Sequence, residues 1–373
     1  MKSIRTLGRQ IATLALVLGL TAAPPAGAAP SQTNSQGKEF RYRYVSLNDV
    51  VAASGLDPSA SFFDPIAIAD SGRIYGTLYT CTDVCIEQIA FYAHGTLTAH
   101  QTGIAYVANN EGTVGGSVLT DPDNFIEQAA LFHGGQVELI PRQPGEITSS
   151  VTALNDSGIA LVTSSDFSHA TLVLYKNGKS TPLNLGPNIS NPQFLKINNQ
   201  GIISGSNLVS PGRGFRFNPW TGELTLLNPL PTEPESWATD INNRGESLGY
   251  SFVSGKLERI GVWDRKGKFA TYFVEGTAQF PTVSNRLLFN ENNPIVITAI
   301  SSPPAELGNS YLVPKPGVRL NLADLVENLP TATLGGILDM NDNGDMLGER
   351  FVNFSLTDTF LLERMDNHDR GDH

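Results

Sequence analysis

The sequence predicts an all-β fold, a β-propeller of seven four-stranded blades. Three observations predict it: a recurring Asn/Asp/Gly turn, an aromatic-bearing run after each turn, and a second Gly turn in step with the first. The first turn occurs seven times, as Asp70-Ser-Gly72, Asn109-Asn-Glu-Gly112, Asn155-Asp-Ser-Gly158, Asn198-Asn-Gln-Gly201, Asn242-Asn-Arg-Gly245, Asn290-Glu-Asn-Asn293 and Asn341-Asp-Asn-Gly344. Successive copies end 40, 46, 43, 44, 48 and 51 residues apart. That period suits four short strands and is too long for a leucine-rich repeat. Asn293 stands where the other copies have Gly, and Asn tolerates the left-handed backbone region.

Each element of the unit follows in order. Five turns lead into a run with Gly four residues on, at Gly76, Gly116, Gly205, Gly249 and Gly348, while Val162 and Ile297 hold that place in the other two units. Glycine there is expected to permit close backbone approach where the sheets converge. The third strand carries Phe91-Tyr92, Phe132, Tyr175, Phe217, Trp263, Tyr311 or Phe360, assigned to packing between sheets. Gly95, Gly135, Gly178, Gly222, Gly267 and Gly317 mark the second turn, 20 to 24 residues after the first. Fourth strands such as Gln136–Ile140, Lys179–Leu183, Glu223–Leu227, Lys268–Tyr272 and Val318–Leu322 follow it.

The seventh unit lacks a fourth strand, because Phe360-Leu361-Leu362 runs into a polar tail. The stretch Tyr42–Asn48 is expected as the missing strand, paired beside residues 358–364 so that the ring closes without open edges. The organisation expected is a signal peptide over 1–28, a flexible segment over 29–40, one propeller domain over 41–365 and a polar tail over 366–373. Lys2, Arg5 and Arg9, the short apolar stretch Ile11–Ala23 and the small residues Ala26-Gly27-Ala28 make the export signal. Its removal would take the net charge from -11 to -14. The expected address is secreted or periplasmic, with no transmembrane segment. Cys81 and Cys85 are then expected to form a local disulfide, a clip on one hairpin.

Ala238-Thr-Asp240-Ile241-Asn242-Asn243-Arg-Gly245, followed by Leu248-Gly249-Tyr250-Ser251, resembles a unit of the HAF-type probable extracellular repeat family. Gly261-Val262-Trp263, Ala90-Phe91-Tyr92, Ala130-Leu131-Phe132 and Gly214-Phe215-Arg-Phe217 match its third-strand run in part. The resemblance covers roughly residues 60–365. It implies an exported, β-propeller-like domain and assigns no reaction.

The acidic excess, 36 Asp and Glu against 25 Lys and Arg, argues against a nucleic-acid partner. No catalytic, cofactor-binding or metal-binding residue is assigned, and no cofactor is expected. The six His residues, His94, His100, His133, His169, His368 and His373, form no recognised spacing. Asp339-Met-Asn341-Asp-Asn343-Gly344-Asp345 places oxygens as a calcium loop does, yet Arg350 occupies the position of the bidentate Glu, so an Asx turn is the preferred reading. The expected function is a monomeric binding or interaction module for an unidentified protein or glycan. The alternatives are a structural surface protein and, last, a hydrolase or lyase using the central channel. The 121–128 and 301–309 regions are candidate loop contributions to a recognition face.

Overall fold

The computed structural model describes residues 40–365, apart from 58, 122, 125, 254–257, 276–285, 292–294, 300–308, 331–333 and 353–354. The export signal, nearly all of the 29–40 segment and the polar tail lie outside the described residues. Seven antiparallel sheets span 61–102, 104–139, 148–182, 192–227, 235–275, 286–321 and 336–364, each with its strands in sequence order. We number them blades 1 to 7. Six have four strands; in each, the first strand touches the first strand of the next blade, so these strands line the axis of the ring.

The last blade is completed as the missing-strand argument requires. Strand β1 (Tyr42–Ser46) lies antiparallel to Ser355–Arg364, with Tyr42 opposite Arg364 and Ser46 opposite Phe360. Two details differ from expectation. The strand stops at Ser46, whose hydroxyl accepts the Asp49 amide and caps helix α1 (Leu47–Ala53). Leu47, Val50 and Val51 share one helical face and are buried together with Phe63, Leu338 and Leu361 between blades 7 and 1. The short strand Val326–Glu327 then pairs in parallel with the outer side of β1, making this sheet five-stranded. Arg41 pairs with Glu327 and Arg43 with Glu363 across these two junctions.

Apolar packing is organised by interface, with one buried cluster between each pair of neighbouring blades. The third-strand aromatics take part as expected: Phe132, Tyr175, Phe217, Trp263 and Phe360 are buried, and Phe91, Tyr92 and Tyr311 partly so.

The Asn-rich turns join the blades to one another. Within a turn, the first Asn accepts the amide four residues on, as Asn155 does from Ile159 at 2.9 Å. Its amide group reaches across to the next turn's carbonyl: Asn109 to Asn155, Asn155 to Asn198, Asn198 to Asn242, Asn290 to Asn341, and Asn341 to Ala69. The second turn residue forms a complete cycle. The backbone N–H of Asp70 donates to Asn110, Asn110 to Asp156, Asp156 to Asn199, Asn199 to Asn243, Asn243 to Glu291, Glu291 to Asp342, and Asp342 back to Asp70. Each acceptor is a side-chain oxygen of the following blade.

The repeated glycine acts elsewhere than expected. A Cβ on Gly116 or Gly249 would lie 1.9 Å from the carbonyl oxygen of Ile104 or Trp237, on the first strand of the same blade. Those first strands carry a bulge there, at Ala105/Val107 and Ala238/Asp240. In these blades, and in blade 1 where Gly76 meets the Asp64 carbonyl, the close approach is inside the blade, against its own bulge, instead of between converging sheets.

Two outcomes are expected. Asn155→Ala removes one inter-blade and one intra-turn hydrogen bond at a buried site and lowers unfolding free energy in urea by about 2 kcal/mol; the exposed Asn124→Ala changes it by less than about 0.5 kcal/mol. Gly249→Ala costs more than about 2 kcal/mol, since the atoms its methyl would meet are backbone.

Candidate functional site

Alternation of strand direction gives the ring two faces. One, the turn face, carries the Asn-rich turns and the turns between third and fourth strands. The other, the loop face, carries the hairpins between second and third strands and the connections between blades.

The turn-face rim of the channel is committed to the hydrogen-bond cycle. This accounts for the calcium-like segment. Asp339 accepts the Ile68 amide at 2.8 Å, Asn341 accepts that of Asp345 at 2.9 Å, and Asp345 accepts that of Arg364 at 2.8 Å. Asp342 accepts that of Glu291 at 3.0 Å. These oxygens make an Asx-turn bond at Asn341, inter-blade bonds at Asp339 and Asp342, and a bond within blade 7 at Asp345. Among the described residues no group of three or more His, Cys, Asp or Glu side chains is arranged to hold a metal ion. Three of the described histidines stay in separate places: His100 stacks on Phe91, His133 approaches Glu138, and His169 lies 3.6 Å from Asp166.

The loop face is different in kind. Val84, Ile86, Ile147, Phe167, Phe194 and Val209 are exposed there, Phe167 by 68 % and Phe194 by 46 %, whereas Trp220 and Val137 are exposed at the turn-face ends of their blades and Tyr106 and Leu139 along their strands. Near the channel mouth Phe194 stands with φ of 55°, a backbone conformation unusual for an aromatic residue, beside the bulge of its strand. Its ring centroid is 6.3 Å from that of Trp237, and Trp237 meets Phe252 edge-on at 4.8 Å. Gly212 packs over the indole, where a Cβ would come within 2.7 Å of Nε1. Blades 4 and 5 thus build an aromatic cluster with one ring open to solvent.

The same face bears the Cys81–Cys85 disulfide, which joins the second and third strands of blade 1 beneath Thr82, Asp83 and Val84. At blade 7 it carries a polar cavity of about 450 Å³ lined by Tyr44, Asn48, Asp49, Asn328, Arg350 and Asp358 among others. Asp358 is buried and accepts the hydroxyls of Tyr44 at 2.6 Å and Ser46 at 2.9 Å, so the cavity floor is part of the closure seam. Burial and the hydrogen bond to Asp358 hold the Tyr44 phenol well above its ordinary range. Of the two candidate loops, the first begins at Asp121, the end of one strand, where the carboxylate accepts the amides of Asp123 and Asn124, and Ile126, Glu127 and Gln128 already belong to the next strand. The 301–308 stretch lies outside the described residues.

The channel wall holds Asp339 of the calcium-like segment and two further charges that spacing did not single out. Lys196, Asp240 and Asp339 stand two residues before the Asn-rich turns of blades 4, 5 and 7. Asp240 accepts the amides of Ile241 and Phe289, the latter from the next blade, as Asp339 accepts that of Ile68. Desolvation pushes the Asp240 carboxyl up to about 6, against the opposing effect of the Lys196 ammonium. The signal available in the sequence was the repeated position, which becomes informative once the turns are aligned.

Neither a family model nor a curated protein matches the chain. Solved structures do. The β-propeller domain of the Trilobed protease from Pyrococcus furiosus aligns with a TM-score of 0.52 at 8 % identity, over 83 % of this chain and 99 % of that one. It is described as having an open velcro topology, whereas β1 here joins the last blade. TolB from Acinetobacter baumannii aligns at 13 % identity and a TM-score of 0.38, over 56 % of this chain and 53 % of that one, so the match spans about half of that protein. The SapL1 lectin in complex with alpha methyl fucoside aligns at 13 % identity and 0.38, over 67 % and 92 %. The first likeness supports the β-propeller fold; function does not follow from any of them. Among the described residues, no helix is long and apolar enough to cross a membrane.

The raised Asp240 pKa sets a pH dependence. Unfolded, this carboxyl titrates near 3.8; folded, near 6. Between these values the folded state holds the extra proton, so the contribution favours folding at low pH and is lost as pH rises through 6. Asp240→Asn, which keeps the acceptor oxygen, is expected to gain stability relative to the parent as pH rises from 4 to 7, by about 1 kcal/mol after allowance for partial exposure. Thermal melts of both proteins across that range measure it.

Proposed function

We propose that this chain is an exported β-propeller that works as a binding module, with the loop face as its recognition surface and a protein as its partner. The observation that carries the reading is the segregation of the two faces. Six exposed apolar side chains of blades 1, 3 and 4, the open ring of Phe194 among them, lie on the loop face, while the turn-face rim spends its polar groups on holding the blades together. Aliphatic Val84, Ile147 and Val209 alongside the aromatics suit a polypeptide surface better than a sugar, whose recognition rests on flat stacking flanked by hydrogen-bonding groups. A rigid ring supports this role by fixing loops from seven blades on one plane.

Export by way of the 1–28 signal, a monomeric state and kinship with HAF-type repeats belong to the same proposal. The export signal and the Cys81–Cys85 clip support each other, since a disulfide on an exposed hairpin suits an oxidising compartment.

The test uses the chain lacking residues 1–28 as immobilised bait for the exported proteins of its source organism, with a glycan array in parallel. Phe194→Asp and Phe167→Asp, both at exposed positions, should leave the melting temperature within about 3 °C. They should weaken saturable binding of a specific protein by at least about tenfold. Saturable binding to a glycan alone, or a protein bound equally by the parent and both variants, would overturn the assignment.

A further inference from the structure

The boundary between blades 4 and 5 is built unlike the others. Its apolar cluster holds only Leu227, Ala238 and Trp263 as buried members. Ser206 accepts the Ala238 amide at 2.8 Å, as Thr77 accepts that of Ala105 and Thr298 that of Ile337 at other boundaries; particular to this one, Ser206 also donates to the Ala238 carbonyl and Ser204 bonds Ser247 at 3.0 Å. Arg216 crosses from blade 4 into blade 5, where its guanidinium donates to the carbonyls of Gly245, Asp264 and Arg265. It is 6 % exposed and makes no ion pair among the described residues. Its hydrogen bonds go to carbonyls, and the one carboxylate acting on its charge is Asp264 of the next blade, without a direct ion pair.

Directly against these carbonyls, on the turn face, lies a cavity of about 360 Å³ lined by Arg244, Glu246, Asp264, Arg265 and Lys266. Its acids are already engaged. One oxygen of Asp264 accepts the amides of Lys268 and Lys266, each at 2.9 Å, and those bonds, with the nearby Arg216 and Lys266 charges, hold its carboxyl below the usual range. Glu246 accepts from Asn242 and from Arg244. Arg265 uses only its Nε, on the Arg244 carbonyl; its two terminal nitrogens and the Lys266 ammonium make no hydrogen bond or ion pair among the described residues. In a protein of net charge -11, this pocket sets two such cations above a third that is buried.

From this geometry we infer that the pocket between blades 4 and 5 binds an oxyanion, with Arg265 and Lys266 as direct ligands and Arg216 contributing field from beneath. The class is phosphate or carboxylate oxygen, carried by a free ion or by an acidic saccharide. The site is on the face opposite the proposed protein surface and does not depend on that reading. Arg265 suits it because a planar guanidinium with two free nitrogens can grip two oxygens of one group.

Titration calorimetry at low ionic strength with inorganic phosphate, and separately with a galacturonate trimer, tests it. The expected result is saturable binding that weakens with added salt. Arg265→Ala/Lys266→Ala should lose at least about tenfold in affinity without a change in melting temperature, and Arg265→Lys/Lys266→Arg should recover part of it. Lys179→Ala/Lys315→Ala removes the same net charge elsewhere and should bind as the parent does. Binding of phosphate identifies a free ion as sufficient; binding of the trimer alone identifies the saccharide. No saturable binding of either probe, or equal loss in the two double-alanine variants, overturns the proposal.

Discussion

Inter-blade hydrogen bonding at the Asn-rich turns is the constraint on which this ring depends. Backbone ladders end at the edge of each sheet, and apart from isolated backbone bonds such as Ser236 N–H to Gly212 and Gly317 N–H to Tyr272, neighbouring blades meet through contacts in which a side chain takes part. Apolar contact between two sheets leaves their relative rotation only loosely set. A backbone amide of one turn, donating to a side-chain oxygen of the next, sets it for all seven pairs at once, because the seventh bond has to meet the first. Asn and Asp serve here for a specific reason: one side chain can close its own turn, while the neighbouring residue's oxygen faces the preceding blade. The closing strand β1 does the corresponding work at the periphery, tying the last blade to the chain's beginning through Tyr42, Tyr44 and Ser46.

This division of labour separates the two faces chemically. Polar groups near the turn-face rim are occupied internally, so an exposed ligand surface must be sought on the loop face or at a boundary where packing is exceptional. Blades 4 and 5 supply both. Their loop-face ends form the Phe194, Trp237 and Phe252 cluster, and their turn-face ends form the pocket above Arg216. The small apolar cluster between them goes with Ser204 and Arg216, which stand where blade 3 has Leu161 and Leu174 and blade 5 has Leu248 and Val262.

Much of the architecture was legible because a propeller repeats its local chemistry. The Gly turns, the third-strand aromatics and the fourth strands from Gln136, Lys179, Glu223 and Val318 fall where their spacing indicated. Residues without a counterpart in the other units were harder to place. Leu47, Val50 and Val51 form one helical turn whose partners, Phe63, Leu338 and Leu361, lie in two blades distant in sequence. The pairing of Val326–Glu327 with β1 likewise joins segments far apart in the chain, with no periodic signal to announce it. The repeated glycine was recognised by position but its reason was not, since a bulge in the preceding strand appears only when the two strands are in register.

By itself the sequence determined the all-β class, seven repeats, the closing strand and the clip between Cys81 and Cys85, because each rests on local turn chemistry or on counting strands. The tertiary structure alone decided which residues of different repeats meet. It turned the second position of each Asn-rich turn into a closed cycle, gave Asp240 the Phe289 amide and a desolvated setting, exposed Phe194, and buried Arg216 beneath two unpaired cations. The physical reason is that period and composition report what one unit must do, whereas desolvation and charge pairing depend on the neighbour that the ring brings alongside.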